Sequence, residues 1–321
     1  MTQEKLIEYS LNLNTGYISP KFLKYIKNPE LKNGHVFLSV DKGQFSFISA
    51  NPKVDKHRLN NALFFIKKVI DDFGLNLNFK FILNTYDEPS IEDIPIFGFC
   101  GNSFEKKSNI LIPDPHITGK YLGVKIKDEL NFQEKKESIV FRGSDTGSFP
   151  IARKNERINA CWKTKDDTKI DFKISNFVRY SKDILKESGV NIDKISSPYL
   201  SFKDQLQHKY IADINGNSAA WDRPCWVLGS NSILFKIQTE TKSDETWYSR
   251  YMLHQGIVPR LNIEELKKAS KENFNFLKLL NISPTTLNSK QKQFSKILLD
   301  YSTHQIYLKE VLVKYNKQYN S

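Results

Sequence analysis

The chain contains few cysteines and no long apolar run. Its three cysteines, Cys100, Cys161 and Cys225, are far apart and odd in number, which argues against a disulfide framework or a cysteine-rich zinc module. No stretch reaches the roughly 18 apolar residues of a membrane-spanning helix. The first residues also lack the apolar run of a signal peptide. We therefore expect a reduced, cytoplasmic protein.

The chain also lacks the common short motifs of cofactor and metal sites. It contains no GxGxxG, no GxxxxGK[ST], no HExxH, no GxSxG and no Cys-x-x-Cys, and each of these motifs has a defined chemical role. Its six histidines are scattered singly, and the metal-binding pattern Asp-x-Asp does not occur. A bound diphosphate would then be held by side-chain cations and backbone amides, so we expect no metal site.

The chain has an excess of positively charged residues. It carries 48 Lys and Arg against 36 Asp and Glu, a formal net charge of +12. Such a surplus favours anionic partners, but it does not distinguish among nucleic acid, a membrane surface and a phosphorylated small molecule. The length of 321 residues fits two domains of about 150 residues, and 39% hydrophobic residues are enough to build their cores.

Strands that alternate with helices predict an α/β fold with parallel sheets in both halves. The first half contains a predicted hairpin over 35–49, a helix over 57–74 and a strand over 78–84. The second half restarts with a strand over 138–144 and ends in one long amphipathic helix from about 288 onward. The most charged break, residues 128–137, sets the predicted boundary, which divides the chain into 1–135, 136–290 and a C-terminal helix over 291–321.

Three loops that follow predicted strands carry residues suited to chemistry. In the first, over 84–89, the carboxylate of Asp87 could take a proton from an attacking hydroxyl, although Asn, Asp and Pro also favour ordinary turns. The second, over 141–148, is rich in Gly and Ser and leads to a helix with early cations. This arrangement suits phosphate, because backbone N–H groups, a helix N-terminus and arginines can all bind an anion.

The third loop runs from about 208 to 223 and repeats the arrangement of the second. A strand again leads into small residues, a helix start and an arginine. Each loop alone is also compatible with a structural turn, but two in one domain could hold the two ends of a nucleotide diphosphate. The candidate cations in the second loop and the helix after it are Arg142, Arg153 and Arg157.

The motifs FILNTYDEP, FRGSDTG…NER and HKYIADINGNSAAW…VLGSNSILFK, in this order, resemble glycosyltransferase family 90. That family includes Rumi-type protein O-glucosyltransferases, capsule-associated xylosyltransferases and bacterial lipopolysaccharide sugar transferases. The resemblance covers about 57–316 and includes the aromatic segment over 245–248. It implies a GT-B architecture, in which two Rossmann-like domains face a cleft and a C-terminal helix crosses back to the first.

The resemblance also implies an inverting, metal-independent transfer of a sugar from a UDP-sugar. It assigns Asp87 as the catalytic base and Ser144 to the binding of UDP. Arg157 best matches the phosphate-binding arginine of the family, with Arg153 as the alternative, and Arg58 is a weaker match to a donor-contacting arginine. The complete set of implied donor-binding residues is Arg58, Arg142, Gly143, Ser144, Arg157, Asn217, Ser218, Ala219, Ala220, Trp221 and Arg223.

The acceptor remains open between several classes. The Rumi-type enzymes carry disulfides and work in the secretory pathway, whereas this chain has three unpaired cysteines and no signal peptide. We therefore expect a glycan or glycolipid acceptor, such as lipopolysaccharide or capsule, with peripheral contact to an anionic membrane surface. Alternatives are a protein O-glycosyltransferase, a nucleotide-sugar-binding module without activity, and a basic nucleic-acid-binding protein. The spread of the cations and the absence of recognition motifs argue against nucleic acid.

Overall fold

A computed structural model of the chain describes residues 1–13, 18–87, 94–101, 109–147, 151–239, 245–272 and 282–321. The chain divides into two compact units. The first unit contains Met1–Val124, Lys242–Tyr251 and Ile297–Ser321, and the second contains Lys125–Thr241 and Met252–Lys296. Among the described residues, no helix has both the length and the apolar content needed to cross a membrane.

The first unit is built on a five-stranded mixed sheet of order β2-β1-β3-β4-β5. β1 pairs antiparallel with both β2 and β3, whereas β3, β4 and β5 are parallel. The strands are β1 (His35–Asp41), β2 (Gln44–Ala50), β3 (Asn78–Asn84), β4 (Ile96–Gly98) and β5 (Asn109–Leu111). The predicted hairpin is thus confirmed. The expectation of a wholly parallel sheet is wrong here, because the two-residue turn at Lys42 and Gly43 can join only antiparallel strands.

Helices of the first unit pack on this sheet through aromatic side chains. The ring of Tyr315 lies 5.0 Å from that of Phe79 and 4.9 Å from that of Phe97, and its hydroxyl donates to the carbonyl oxygen of Lys80 at 2.9 Å. The helices that lie wholly within this unit are α1 (Gln3–Leu13), α2 (Pro20–Tyr25), α3 (Lys56–Asp72) and α12 (Tyr301–Tyr319). The last 25 residues therefore belong to the first unit, together with the residues at the start of the chain.

The second unit is built on a five-stranded, wholly parallel sheet of order β10-β9-β8-β6-β7. The strands are β6 (Lys136–Ser144), β7 (Ile170–Asn176), β8 (His208–Asp213), β9 (Ile233–Ile237) and β10 (Arg260–Leu261). The first strand of the unit lies between the second and the third, which is one of the common orders of doubly wound sheets. In such sheets ligands bind where the strand order reverses, which here is between the carboxyl ends of β6 and β8.

The second unit surrounds its sheet with short helices. Its core includes Phe141, Phe172, Tyr210 and Phe235, all buried. The helices are α4 (Glu156–Thr164), α5 (Lys182–Glu187), α6 (Ile192–Ile195), α7 (Phe202–Gln205), α8 (Arg223–Val227) and α10 (Ile263–Lys271). Two further helices, α9 (Ser249–His254) and α11 (Pro284–Leu298), span positions at which the chain passes from one unit to the other.

Two predicted helices differ from those observed. The single helix expected from about 288 to the end is two helices, because the side chain of Asp300 accepts the backbone N–H of Thr303 at 3.1 Å and begins a new helix at Tyr301. The helix start expected in the third loop leads to a helix of only five residues, Arg223–Val227. Pro224 has no N–H to donate and fits only the first turn of a helix.

Candidate functional site

Asp87 lies just beyond the carboxyl end of β3, as the sequence predicts. Its Oδ1 atom accepts a hydrogen bond from Arg58 Nη1 at 2.8 Å, and both side chains are about a fifth exposed. The same Arg58 nitrogen donates to the carbonyl oxygen of Thr85 at 3.1 Å. Arg58, predicted to contact the donor, therefore holds the candidate base.

The first turn of α3 is fixed to the end of β3 by a short set of hydrogen bonds. Asp55 begins the helix by accepting the backbone N–H of Arg58 at 3.0 Å. The hydroxyl of Thr85 accepts the backbone N–H of Asp55 at 3.2 Å and donates to the carbonyl oxygen of Gly34 at 3.0 Å. Because Arg58 lies in the first turn of α3 and Asp87 lies three residues beyond β3, the ion pair positions the carboxylate without burying it.

In the second unit, the two predicted loops meet at the point where the strand order reverses. Gly147, in the loop after β6, donates its backbone N–H to the side-chain oxygen of Asn217 at 3.0 Å. Arg157, near the start of α4, donates to Ser144 O at 3.1 Å and to Ile214 O at 3.1 Å. One side chain thus joins the loops that follow β6 and β8.

Arg223 provides a second buried guanidinium in the same region. It donates to Arg142 O at 2.7 Å and to Ala212 O at 3.2 Å. Its Nε atom is buried and has no hydrogen-bond partner within the described ranges. The guanidinium carbons of Arg223 and Arg157 lie 4.8 and 5.6 Å from the centre of the Phe141 ring, so one aromatic ring supports both cations.

The charges in this region do not balance locally. Burial, the largest cause, and the positive charge of Arg223 together lower the pKa of Arg157 to about 10, while Asp213 opposes both effects. Burial likewise lowers the pKa of Arg223. Asp213, the acid that raises the pKa of Arg157 most, is already paired with Lys236 at 2.7 Å. Positive charge held out of water with incomplete compensation favours binding of an anion.

The structure shows one role of the loop glycines. We predicted that small residues let the backbone approach an anion. A Cβ atom on Gly216 would lie 2.6 Å from Thr146 Oγ1 and 2.9 Å from Arg157 Cζ, and one on Gly147 would lie 2.4 Å from Asn155 Nδ2. These glycines therefore make room for side chains of the protein itself, which hold the loops together.

The other predicted donor-binding residues lie in several environments. The side chain of Arg142 is bound to β7, where it donates to Asp171 Oδ2 at 2.6 Å and to Asp171 O at 2.8 Å. Arg153 is exposed and donates to Gly189 O at 3.0 Å, so of the two alternatives only Arg157 contacts the loops. The remaining members range from buried to exposed: Ser218, Ala219 and Trp221 are buried, Gly143, Ser144 and Ala220 are half-buried, and Asn217 is exposed.

Two residues that organise the site were not predicted. Asp145 is fully buried, and its carboxylate accepts backbone N–H groups of Val178, Arg179 and Tyr180. Asn155 caps α4 by accepting the N–H of Ile158 at 3.1 Å and also donates to Asp145 O at 3.1 Å. Its position before a run of helical residues is a signal for a cap, but nothing local in the sequence indicates the partners of Asp145.

A separate cavity of about 530 Å³ in the second unit contains none of the predicted site residues. Its walls include residues 202–207, which directly precede β8, and residues 125–130. The complete lining is Lys125, Ile126, Lys127, Asp128, Glu129, Leu130, Phe202, Lys203, Leu206, Gln207 and Trp226. Among the described residues there is no group of three or more His, Cys, Asp or Glu placed to hold a metal ion.

The chain matches no protein-family model and no curated protein sequence.

Proposed function

We propose that the chain is an inverting glycosyltransferase that moves a sugar of the glucose, xylose or galactose type from a UDP-sugar to a hydroxyl group. The acceptor in this proposal is a glycan or glycolipid, such as lipopolysaccharide or capsule. The proposal includes the GT-B architecture and a cytoplasmic site of action beside an anionic membrane surface. The single observation that supports it most is the pair of guanidinium groups, Arg157 and Arg223, at the reversal of strand order in the second unit.

This observation favours a nucleotide diphosphate because the positive charge lies at the place in the sheet where ligands of such folds bind. Doubly wound sheets bind nucleotides at the reversal of strand order. The arginine pair supplies positive charge there, and Asp213, the acid with the largest opposing effect on Arg157, is engaged with Lys236. The second unit as a whole carries 28 Lys and Arg against 19 Asp and Glu. A diphosphate is the part of a nucleotide sugar that this field attracts.

The proposed reaction gives each site a separate task. Asp87 takes the proton of the acceptor hydroxyl as that oxygen forms a bond to C1 of the sugar. The bond between C1 and the phosphate oxygen breaks on the opposite face, so the configuration at C1 inverts and UDP leaves. Arg157 and Arg223 stabilise the negative charge that develops on the departing diphosphate.

A binding and hydrolysis experiment tests the proposal. The full chain is titrated with UDP, GDP, CMP and a short oligonucleotide by calorimetry, and UDP-glucose, UDP-galactose and UDP-xylose are screened for slow hydrolysis. We expect selective binding of UDP and hydrolysis of one UDP-sugar. Arg223→Ala should weaken UDP binding strongly and UMP binding less, because UMP lacks one phosphate. Arg223→Lys, which keeps the charge, controls for loss of folding.

Three results would contradict the proposal in different ways. Binding of the oligonucleotide without UDP would favour a nucleic-acid-binding protein. Selective UDP binding with no hydrolysis or transfer of any sugar would favour a binding module. Transfer to a folded protein domain in preference to glycan acceptors would keep the chemistry and change the acceptor to that of a protein O-glycosyltransferase.

A further inference from the structure

The loop after β7 is fixed by the Asp145 carboxylate. Its Oδ1 atom accepts the N–H of Val178 at 2.7 Å and its Oδ2 atom that of Tyr180 at 2.9 Å, while the N–H of Arg179 lies 3.1 and 3.2 Å from the two oxygens. Asp145 is fully buried. A buried carboxylate that accepts several backbone N–H groups is a strong restraint, so this loop has a defined position relative to the loop after β6.

Because the loop is fixed, the side chain of Arg179 reaches the loop after β6. Its Nη1 atom donates to the carbonyl oxygen of Gly147, whose N–H is bound by Asn217 at 3.0 Å. Arg179 also interacts with the hydroxyl of Tyr180. Gly147 is therefore the point where the loops after β6, β7 and β8 all meet.

The three arginines near this point differ in how their donors are used. Arg157 makes five hydrogen bonds through Nε, Nη1 and Nη2, four of them to backbone carbonyl oxygens. Both terminal nitrogens of Arg223 donate hydrogen bonds to backbone carbonyl oxygens. Arg179 is exposed and contacts the loop after β6 through one nitrogen.

This difference decides which arginine can bind an anion at low cost. If Arg157 turned to an anion, the buried carbonyl oxygen of Ile214 would lose its donors, and a buried unpaired carbonyl is costly. Arg179 can exchange one carbonyl partner for phosphate oxygens in the presence of water. A guanidinium has five N–H donors in a planar fork, which matches two oxygens of a phosphate.

We propose that Arg179 makes the direct contact with the phosphate groups of the bound nucleotide. Arg157 and Arg223 lie behind it, where they hold the loops and supply positive charge. Asp145 is a positioning residue that sets the place of Arg179. This inference rests on the proposed function, because it takes the ligand of this site to be a nucleoside diphosphate.

The test measures binding of UDP, UMP, uridine and inorganic pyrophosphate to the full chain by calorimetry. Arg179→Ala should weaken UDP and pyrophosphate binding by about 10-fold or more, which is the usual worth of a hydrogen bond to a charged group, and uridine binding by less than about twofold. Arg179→Lys should recover part of the loss. The matched control is Arg153→Ala, which removes another exposed arginine that also donates to a carbonyl oxygen, and it should leave UDP binding within about twofold.

A second variant separates contact from structure. Asp145→Asn keeps the size of the side chain and weakens the restraint on the loop. As a single substitution it should reduce UDP binding, and when it is combined with Arg179→Ala it should cause little further loss. Unchanged UDP and pyrophosphate binding in Arg179→Ala, with wild-type binding intact, would overturn this inference and leave the proposed function standing. A wild-type chain that binds neither UDP nor pyrophosphate would overturn both.

Discussion

Asp87 and Arg157 occupy comparable places in the two units and are held in opposite ways. Each lies beyond the carboxyl ends of parallel strands. Asp87 is partly exposed and is held by one ion pair to Arg58, whereas Arg157 makes five hydrogen bonds within two loops. The first arrangement can adjust around a substrate. The second is part of the scaffold, so a change there affects the fold as well as any ligand.

The largest expected effect comes from removing the charge of Asp87. Asp87→Asn should lower sugar transfer by at least about 100-fold, since a positioned base contributes about 10²–10⁴, while UDP affinity stays within about twofold. Initial rates and calorimetry on the same preparation measure the two quantities. Asp71→Asn, which removes an exposed acid of the same unit that is paired with Lys67, is the control. A transfer rate near that of the wild type would remove Asp87 from the mechanism.

Acid should destabilise the first unit more than the second. Burial lowers the pKa of His35 and His304 in the first unit, and of His208 in the second, to about 4. These side chains stay neutral in the folded state, while the unfolded chain takes up protons below pH 6.5. Stability is therefore lost as the pH falls from about 6.5 to 4, at about 1.4 kcal/mol per pH unit for each histidine.

Between pH 6.5 and 5 the expected losses in the free energy of unfolding are about 3 kcal/mol for the first unit and about half of that for the second, because each unfolded histidine is already half protonated at pH 6.5. Hydrogen exchange in urea, followed by peptide in each unit, measures them separately. His304→Gln keeps a donor for Leu298 O, the partner of His304 Nε2, and should halve the loss in the first unit. Equal losses in both units would show that other groups dominate the acid response.

A methyl group on Gly216 tests whether the second-unit site is a scaffold. Gly216→Ala should cost about 1–3 kcal/mol, the usual cost of overpacking, because its Cβ would lie 2.6 Å from Thr146 Oγ1. UDP affinity should fall with it. Gly119→Ala is the control in the first unit, since its Cβ would lie 3.6 Å from the nearest atom, an ordinary contact. Equal stability of the two variants would contradict the scaffold interpretation.

The smallest expected effects come from two helix caps that sharpen the comparison. Asp55→Ala and Asn155→Ala each remove a cap worth about 1 kcal/mol. Asp55 also binds Arg58 at 3.3 Å, so its loss should lower turnover by a few-fold and leave UDP affinity unchanged. Asn155 also holds Asp145 O, so its loss should weaken UDP binding. Thermal unfolding, turnover rates and calorimetry on both variants measure the losses of stability, of turnover and of UDP affinity.

Local signals in the sequence predicted the elements that carry the candidate residues. The hairpin over 35–49, the helix ending before Gly74 and the strand over 78–84 depend on neighbouring residues, and all three are confirmed. The break at Asp300 was missed because apolar residues continue with helical spacing on both sides of it. A single polar residue then decides where one helix ends and the next begins.

Long-range pairing accounts for what the sequence did not reveal. The antiparallel pairing of β1 with β3 joins segments on either side of α3, so the mixed sheet could not be recognised from the hairpin. Asp145 and its partners are 33 to 35 residues apart, which hid the role of Arg179. The partners of Arg157 in the loop after β8 are 57 and 58 residues away, so the sequence identified the arginine but not its carbonyl ligands.

The return of the C-terminal segment to the first unit has a consequence for synthesis. All residues of the second unit have been made once Lys296 is added. The first unit still lacks Tyr315, whose ring packs on Phe79 and Phe97 in its core. As the chain leaves the ribosome, the unit that is started first can therefore be completed only last, and a truncation of some 20 residues at the end would damage the part of the molecule encoded at the beginning.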